Sequence, residues 1–329
     1  MDFLFQPFLG QAIWIWLMVL GFVGTVLVLD LGVFNRKDHV IEMKESLKLA
    51  SIYISLGLSF GLWVWYRNGA DSALDYYTVY IIEQTLSLDN LFVMSIIFSS
   101  FAVPREYQHR LLVWGIIGVV ILRGITIAAG AALVQQYDWI LLVFAAILFY
   151  TGFKLFFAAG EEEKEDYTQK GYVKFMARHL RISDRIDGNH FFTRIVPPGS
   201  KTGKAVLYAT PLFLALITIE LTDLLFAFDS VPAALAITTD AYIVFTANIF
   251  AILGLRAIFF AMEHIIHRFV YLKYSLAVLL MFISGKVFYT QVVGHHVPAA
   301  LSLGLTVLIL AAGIVVSLLR TEKNAPVQH

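Results

Sequence analysis

The sequence of 329 residues contains no cysteine. Disulfide bonds are therefore excluded, and so are thiolate sites for zinc, copper or iron–sulfur clusters. Any metal ion bound here has to be held by oxygen or imidazole ligands. Charged residues are scarce too. They make up 15% of the chain and balance to a net charge of 0, which by itself argues neither for nor against a nucleic-acid partner.

Apolar residues are abundant instead. They make up 59% of the sequence, the mean hydropathy is +0.76, and several uninterrupted runs approach the roughly 20 residues that cross a bilayer as a helix. This composition predicts an all-α polytopic membrane protein, whose partner is the lipid bilayer and not nucleic acid. We predict nine transmembrane helices, at residues 12–33, 47–66, 75–101, 110–134, 139–158, 207–231, 241–262, 272–290 and 297–319.

The basic residues are unevenly distributed between the two sides of these helices. Of the 24 Lys and Arg residues, 19 fall in loops, tails or the first residues of spans on one side, one (Arg67) falls on the other side, and four lie deeper in the spans. Because cytoplasmic loops collect Lys and Arg, this asymmetry places the N-terminus outside and the C-terminus inside. The first span follows only Asp2 and no basic segment, so we expect it to remain as a membrane helix instead of being cleaved as a signal peptide.

Two acidic segments interrupt the apolar runs and resemble each other. One reads EQTLSLDN from Glu83, and the other reads DLLFAFDS from Asp223, with Glu220 just ahead of it. Each has an acid, five residues, an Asp, and then Asn90 or Ser230. A carboxylate in the hydrocarbon core costs about 2.5–3.5 kcal/mol even on the lenient insertion scale. The acids Glu83, Asp89, Glu220, Asp223 and Asp229 together therefore indicate a ligand.

The order of charged residues also occurs twice. After each acidic segment comes a mid-helix arginine, Arg123 or Arg256, and then a late-helix lysine, Lys154 or Lys286. Each copy contains three predicted helices, an odd number, so the second copy should run inverted relative to the first, as in many secondary transporters. The predicted organisation is helices 1–2 in residues 1–74, repeat one in 75–158, a cytoplasmic loop in 159–206, repeat two in 207–290, and the last helix and tail in 291–329.

The charges inside the spans leave two interpretations open. Arg123 and Arg256 could act purely as structural counter-ions that join helices to the carboxylates. However, the spans contain six acids against four bases, and the two lysines lie near helix ends, so the bases do not neutralise the acids. A divalent cation would supply the missing charge. Carboxylate, amide and hydroxyl oxygens suit Mg²⁺, Ca²⁺ or Mn²⁺, and the spacing does not choose among them.

Helical spacing predicts how these side chains are arranged. Residues seven apart lie nearly on one line, so Glu83 should share a face with Asn90, and Asp223 with Ser230 and Glu220. Pro232 favours a break near Asp229 that would free backbone carbonyls. Two further residues are secondary candidates: Asp30 as a gate or pairing partner, and Asn248 as a ligand or, more simply, an interhelical hydrogen bond. In the loop, residues 172–180 predict an amphipathic helix on the inner leaflet.

The acidic segments, EQTLSLDNLF from Glu83 and ELTDLLFAFDSVPA from Glu220, together with NIFAILGLR from Asn248, resemble the TerC/Alx family of bacterial integral membrane proteins. The likeness includes DGNHFF from Asp187 and LKY from Leu272, and runs over most of the chain. The family is associated with tellurite resistance by name and with manganese efflux, and it is grouped with LysE-type exporters built from two inverted three-helix repeats. The resemblance implies the site residues Glu83, Asp89, Asn90, Glu220, Asp223, Asp229 and Ser230.

We therefore expect a multi-pass protein of the bacterial inner membrane that exports a divalent ion, with Mn²⁺ as the expected substrate, by alternating access. Protons competing for the same carboxylates would couple export to the proton gradient. No permanent cofactor and no enzymatic activity are expected, although an intramembrane hydrolase using paired carboxylates is a remote third option. The main alternatives are a transporter of Ca²⁺ or another hard cation, and a membrane scaffold or assembly factor linked to metal or tellurite stress. The sequence does not specify an oligomeric state.

The basic asymmetry gives a direct topology prediction. We expect a phosphatase reporter fused after Thr239 or after Val293 to be active, because both positions fall on the predicted outer side. A reporter fused within residues 165–195 should be silent, because this loop carries many of the Lys and Arg residues. The reverse activity pattern would contradict both the number of spans and the inverted repeat.

Overall fold

The computed structural model describes residues 2–29, 43–158, 166–183, 185–196, 205–262, 272–295 and 297–323; the side chains of Asp89 and Arg256 are outside that description. The predicted all-α polytopic architecture is confirmed. The helices are α1 (Ile13–Leu29), α2 (Met43–Asn68), α3 (Ala70–Ser100), α4 (Arg105–Gln136), α5 (Ile140–Ala158), α6 (Gly171–His179), α7 (Pro211–Leu235), α8 (Ala241–Met262), α9 (Leu272–Val293) and α10 (Ala299–Lys323).

Eight of these helices are long and apolar enough to cross a membrane within the described ranges: α2 to α5 and α7 to α10. The predicted first span corresponds to α1, whose 17 described residues rise about 25 Å and fall short of the roughly 30 Å hydrocarbon core. Residues 30–33 of that predicted span, including Asp30, lie outside the described residues. Below, the outer and inner ends of the bundle are those assigned by the basic residues.

Helix α8 forms the centre of the bundle. Of its most apolar 18-residue stretch, 94% is buried, against 17% for α5 and 22% for α10, which face outward. Helices α2, α3 and α4 pack directly on α8. The first helices of the two predicted repeats, α3 and α7, contact each other, and each also packs on the second helix of the other repeat, α8 or α4. This reciprocal packing is what a two-fold relation between the repeats requires; their inverted orientation stays a prediction.

The start of the sixth predicted span is wrong. Residues 207–210 do not belong to the helix, because Val206–Ala209 forms strand β4, which pairs antiparallel with β3 (Phe192–Ile195). Helix α7 begins at Pro211, where a residue without a backbone N–H costs no hydrogen bond. A second ribbon, β1 (Pro7–Phe8) with β2 (Gln11–Ala12), precedes α1 and turns through Gly10, whose φ of 84° suits glycine.

The predicted amphipathic helix of the loop is present as α6, and one side of it packs on the helix bundle. Val173 is buried and Met176 packs with it against a core cluster that includes Phe98 of α3 and Leu212 of α7. Phe175, on the other side, is exposed and lies against His179. Helix α6 therefore covers part of the inner end of the helix bundle, and its position on the inner leaflet stays a prediction.

Helices α2 and α3 approach closely because glycine lines their contact. Tyr76 donates a hydrogen bond to the carbonyl of Gly57 at 3.0 Å, and an added Cβ at Gly57 would lie 2.7 Å from the Tyr80 ring. Tyr80 is only 3% exposed, so its ring has little room to move. Small residues at helix contacts permit this approach in membrane proteins.

We expect Gly57→Ala to lower the thermal stability of the purified protein, by about 1–3 kcal/mol, because the methyl group overpacks the contact with Tyr80. Gly304→Ala is the matched control, since nothing lies within 4 Å of an added Cβ there. Melting temperatures of the two variants in the same detergent give the comparison. Equal melting temperatures would show that α2 does not pack on α3 as described.

Candidate functional site

Among the described side chains, Arg123 of α4 is the largest that is fully buried, with 1% exposed. Its guanidinium joins carboxylates from both predicted repeats. One terminal nitrogen, Nη1, lies 2.7 Å from Oε2 of Glu83 on α3. The Nε and Nη2 groups each lie 3.2 Å from an oxygen of Asp223 on α7, a bidentate arrangement. A single cation therefore holds α3, α4 and α7 together.

Neutral oxygen groups complete the surroundings of this cation. Nη1 of Arg123 also donates to Oγ of Ser230 at 2.9 Å and to Oδ1 of Asn248 on α8 at 3.2 Å. Asn90 donates through Nδ2 to Oδ1 of Asp223 at 3.3 Å. We call this set the central polar cluster: Glu83, Asn90, Arg123, Asp223, Ser230 and Asn248.

Helical spacing explains why the cluster forms. Glu83 and Asn90 are seven residues apart on α3, and Asp223 and Ser230 are seven apart on α7, so each pair lies along one face. The two faces meet because α3 packs on α7. Asn248, predicted as a ligand or an interhelical hydrogen bond, makes such a bond to Arg123. Arg123 itself was predicted to be a counter-ion, but its position between the two repeats was not predicted.

The carboxylates of the central polar cluster are not fully neutralised by Arg123. Two carboxylates face one guanidinium, and every other member is neutral. The second oxygen of Glu83, Oε1, and Nδ2 of Asn248 are buried without a well-formed hydrogen bond, although the Asn248 side chain lies close enough to act on the Glu83 carboxylate. Because an unpaired buried polar atom is costly, these atoms indicate a place where a further ligand could bind.

Apolar layers close the cluster at both ends. On the outer side lie buried residues of α4 and α7, including Ile127, Ala131, Val231 and Leu235. On the inner side, Leu91, Ile97 and Phe98 of α3 pack with Leu255 and Phe259 of α8, and the loop packs beneath them. A cavity of about 10 Å³ touches Asn90 and Asp223, which is roughly the space of one water molecule. The structure thus holds the cluster occluded from both sides.

Two predicted acids lie outside the cluster. Glu220 faces α4 as Asp223 does, in agreement with the predicted shared face, but its carboxylate occupies the space left by Gly118 and is not among the partners of Arg123. Its Oε2 is buried without a hydrogen-bond partner. Asp229 instead accepts a hydrogen bond from Thr151 of α5 at 2.9 Å and interacts with Lys154. Thr151 was not predicted.

The break expected near Asp229 is wrong, since α7 continues to Leu235 with Pro232 inside it. Pro232 lies in the last turn, where the missing N–H leaves only one carbonyl, that of Phe228, without its helical partner.

Asp89 and Arg256 lie on α3 and α8, but their side chains are outside the described set. Among the described residues, no three of the His, Asp and Glu side chains are grouped so as to hold a metal ion. Within this part of the chain, a metal site in the cluster would combine two carboxylates with neutral oxygens.

A second polar region was missed by the sequence reasoning. Asp75 of α3 and Lys286 of α9 line a cavity of about 350 Å³ at the outer end of the bundle. The predicted span began at residue 75, which made Asp75 look like a helix end. Because α3 begins at Ala70, Asp75 lies inside the helix, and its position within the amphipathic start of the span was the available signal.

Comparison with known proteins gives relatives along nearly the whole chain. An uncharacterized membrane protein of Rickettsia bellii is 43% identical over 93% of this chain and 97% of its own length. One from Myxococcus xanthus is 42% identical, covering 95% and 94%. A protein of Escherichia coli K12, named as a candidate membrane-bound redox modulator, Alx, is 41% identical, covering 90% and 91%.

No solved structure matches the chain. The family model of the integral membrane protein TerC family matches residues 68–325, which include both acidic segments and all six members of the central polar cluster. The resemblance seen in the acidic segments is therefore confirmed, and this chain belongs to the TerC family of integral membrane proteins.

Proposed function

We propose that this protein exports a divalent metal ion, Mn²⁺, across the bacterial inner membrane by alternating access around the central polar cluster. The observation that carries the proposal is the convergence of oxygen atoms from α3, α7 and α8 on one enclosed cation. In this state the cation is the guanidinium of Arg123. Because these oxygens from both repeats already bind one cation, the site has the ligands to bind another cation in its place.

The ligand atoms suit a hard ion. If the guanidinium moves aside, Glu83 and Asp223 offer carboxylate oxygens, and Asn90, Ser230 and Asn248 offer neutral oxygens, with no sulfur or imidazole among them. Such all-oxygen sets are typical of Mg²⁺, Ca²⁺ and Mn²⁺ sites. The buried Oε1 of Glu83 has no well-formed hydrogen bond and could bind an ion directly. The small cavity beside Asn90 and Asp223 gives room for one dehydrated ion.

Occlusion fits the alternating-access part of the proposal. The cluster is covered by apolar layers on both sides, so an ion in it would be enclosed until one layer opens. Opening of the inner layer would admit the ion from the cytoplasm, and opening of the outer layer would release it. Protons competing for Glu83 and Asp223 would couple the two steps, because a protonated carboxylate no longer attracts a cation.

A redox role is the second candidate, because the E. coli relative is named for one. This chain contains no cysteine, so its own side chains supply no thiol–disulfide couple. Export of a redox-active metal ion would connect the two functions. Export of Ca²⁺, and a scaffold in which the acids serve only helix packing, remain the alternatives that the following experiments separate.

The charge of Asp223 provides the first test. We expect Asp223→Asn to be inserted at normal levels but to bind Mn²⁺ at least about tenfold more weakly, because a neutral amide replaces a charged ligand of a hard ion. Asp138→Asn, which removes an exposed carboxylate between α4 and α5, is the matched control. Titration of the purified proteins and uptake of radioactive Mn²⁺ into inverted vesicles measure both steps. If Asp223→Asn still transports Mn²⁺ like the control, the central polar cluster is not the metal site; uptake of Ca²⁺ alone would favour that ion.

Removal of Arg123 provides the second test. Arg123→Gln leaves two buried carboxylates without a counter-ion, which we expect to destabilise the protein by about 3–5 kcal/mol and lower its abundance in the membrane. Mn²⁺ should restore thermal stability to this variant far more than to the wild type, because the ion would replace the lost charge. The double variant Arg123→Gln/Asp223→Asn should regain part of the stability without Mn²⁺. A purely structural role for Arg123 predicts the same loss of abundance but no recovery with Mn²⁺.

A further inference from the structure

The cavity at the outer end, which we call the outer cavity, is lined by apolar residues and by hydrophilic side chains from two helices and a connection. Asp75 comes from α3, Thr238 and Thr239 from the segment after α7, and Lys286, Thr290 and Gln291 from α9. Its volume is about 350 Å³, enough for an ion with several water molecules. The carboxylate, hydroxyl and amide oxygens are the same kinds of ligand as those of the central polar cluster.

The two charged groups of the outer cavity do not neutralise each other by direct contact. Both side chains are described, and no ion pair within 4 Å joins them, although each acts on the charge of the other. The ammonium of Lys286 donates instead to Ser302 of α10 at 3.3 Å. The Asp75 carboxylate interacts with the Thr238 side chain.

Other acids add to the negative potential around Asp75. Asp71, one turn earlier on α3, and Asp240, before α8, both act on its carboxylate. Asp240 is fixed there because it accepts hydrogen bonds from the backbone N–H groups of Tyr242 and Ile243, at 2.9 and 3.3 Å. Three carboxylates therefore lie at this end of the bundle near two cations, Lys286 and Arg67, and the remaining negative charge raises the local concentration of cations.

One apolar layer separates the outer cavity from the central polar cluster. Asp75 and Glu83 are eight residues apart on α3, a rise of about 12 Å. Between the two levels, Ile82, Ala233 and Ile283 are fully buried, and Ile237 packs on them while also lining the cavity. Asp75 is thus the next acidic side chain along α3 toward the outer side.

We propose that the outer cavity is a low-affinity release site for the exported divalent cation, in which Asp75 is the carboxylate ligand and Lys286 keeps the binding weak. The proposal rests on the proposed export function. A fixed ammonium in the same cavity repels a bound divalent ion, and this repulsion is strong where water is limited. An ion can leave a transport path only if its last site holds it weakly.

The experiment measures Mn²⁺ binding to the full-length protein in nanodiscs, by equilibrium dialysis and by the electron paramagnetic resonance signal of the free ion. Lys286→Gln keeps a group that can hydrogen-bond to Ser302 but removes the charge. We expect this variant to bind one more Mn²⁺ than the wild type, or to bind its outer ion at least about tenfold more tightly. The gain should disappear in Lys286→Gln/Asp75→Asn. Lys48→Gln, which removes an exposed charge of α2, is the control and should bind as the wild type does.

A second variant separates this proposal from the central site. In Lys286→Gln/Asp223→Asn, the extra ion should still bind, because Asp223 does not line the outer cavity. Unchanged binding in Lys286→Gln, or a gain that survives Asp75→Asn, would overturn the proposal. If the wild type binds no Mn²⁺, the export function fails; a gain in Lys286→Gln that depends on Asp75 would then still establish the outer site. Slower export by Lys286→Gln in inverted vesicles is the expected transport result.

Discussion

The structure depends on the cost of holding charge inside a membrane protein. An unpaired carboxylate at that depth is expensive, so Glu83 and Asp223 can be buried only because Arg123 lies between them. The guanidinium suits this role because its flat fork of donors reaches several acceptors at once. Every helix that contributes an acceptor is thereby fixed relative to α4. The pairing of α3 with α8 and of α7 with α4 brings those acceptors within reach.

The same requirement explains why the rest of the bundle is so apolar around the cluster. Water entering from either end would weaken each charged contact of Arg123, since the effective dielectric constant would rise. The layers of aliphatic and aromatic side chains above and below, together with α6 and the β3–β4 ribbon at the inner end, keep water out. The absence of a side chain at Gly57 lets α2 approach α3 closely. The absence of a side chain at Gly118 leaves the space that the Glu220 carboxylate occupies. The same apolar layers therefore stabilise the charged contacts of Arg123 and occlude the central polar cluster.

The sequence was sufficient for the spans and for part of the site, and the limits have physical reasons. Hydropathy located the long helices, and seven-residue spacing correctly paired Glu83 with Asn90 and Asp223 with Ser230. Helical spacing could not show that the Glu220 carboxylate occupies the space left by Gly118, because Gly118 lies on another helix. Nor could it show that residues 206–209 form a strand, since their partner strand lies 11 or more residues earlier. Contacts between distant segments decide such cases.

Two basic side chains, Arg123 and Lys286, are fixed at two levels of the same bundle, and each lies near acids of α3. Their surroundings differ in a way that matters for a transported cation. Arg123 is fully buried and directly paired, so an ion can reach Glu83 and Asp223 only by replacing it, which requires strong binding. Lys286 lies at the edge of a wide cavity and is not in contact with Asp75, so an ion there would share the space with it and be held weakly. Under the proposed export function, a path from strong to weak binding would lead outward, which is the direction that export requires.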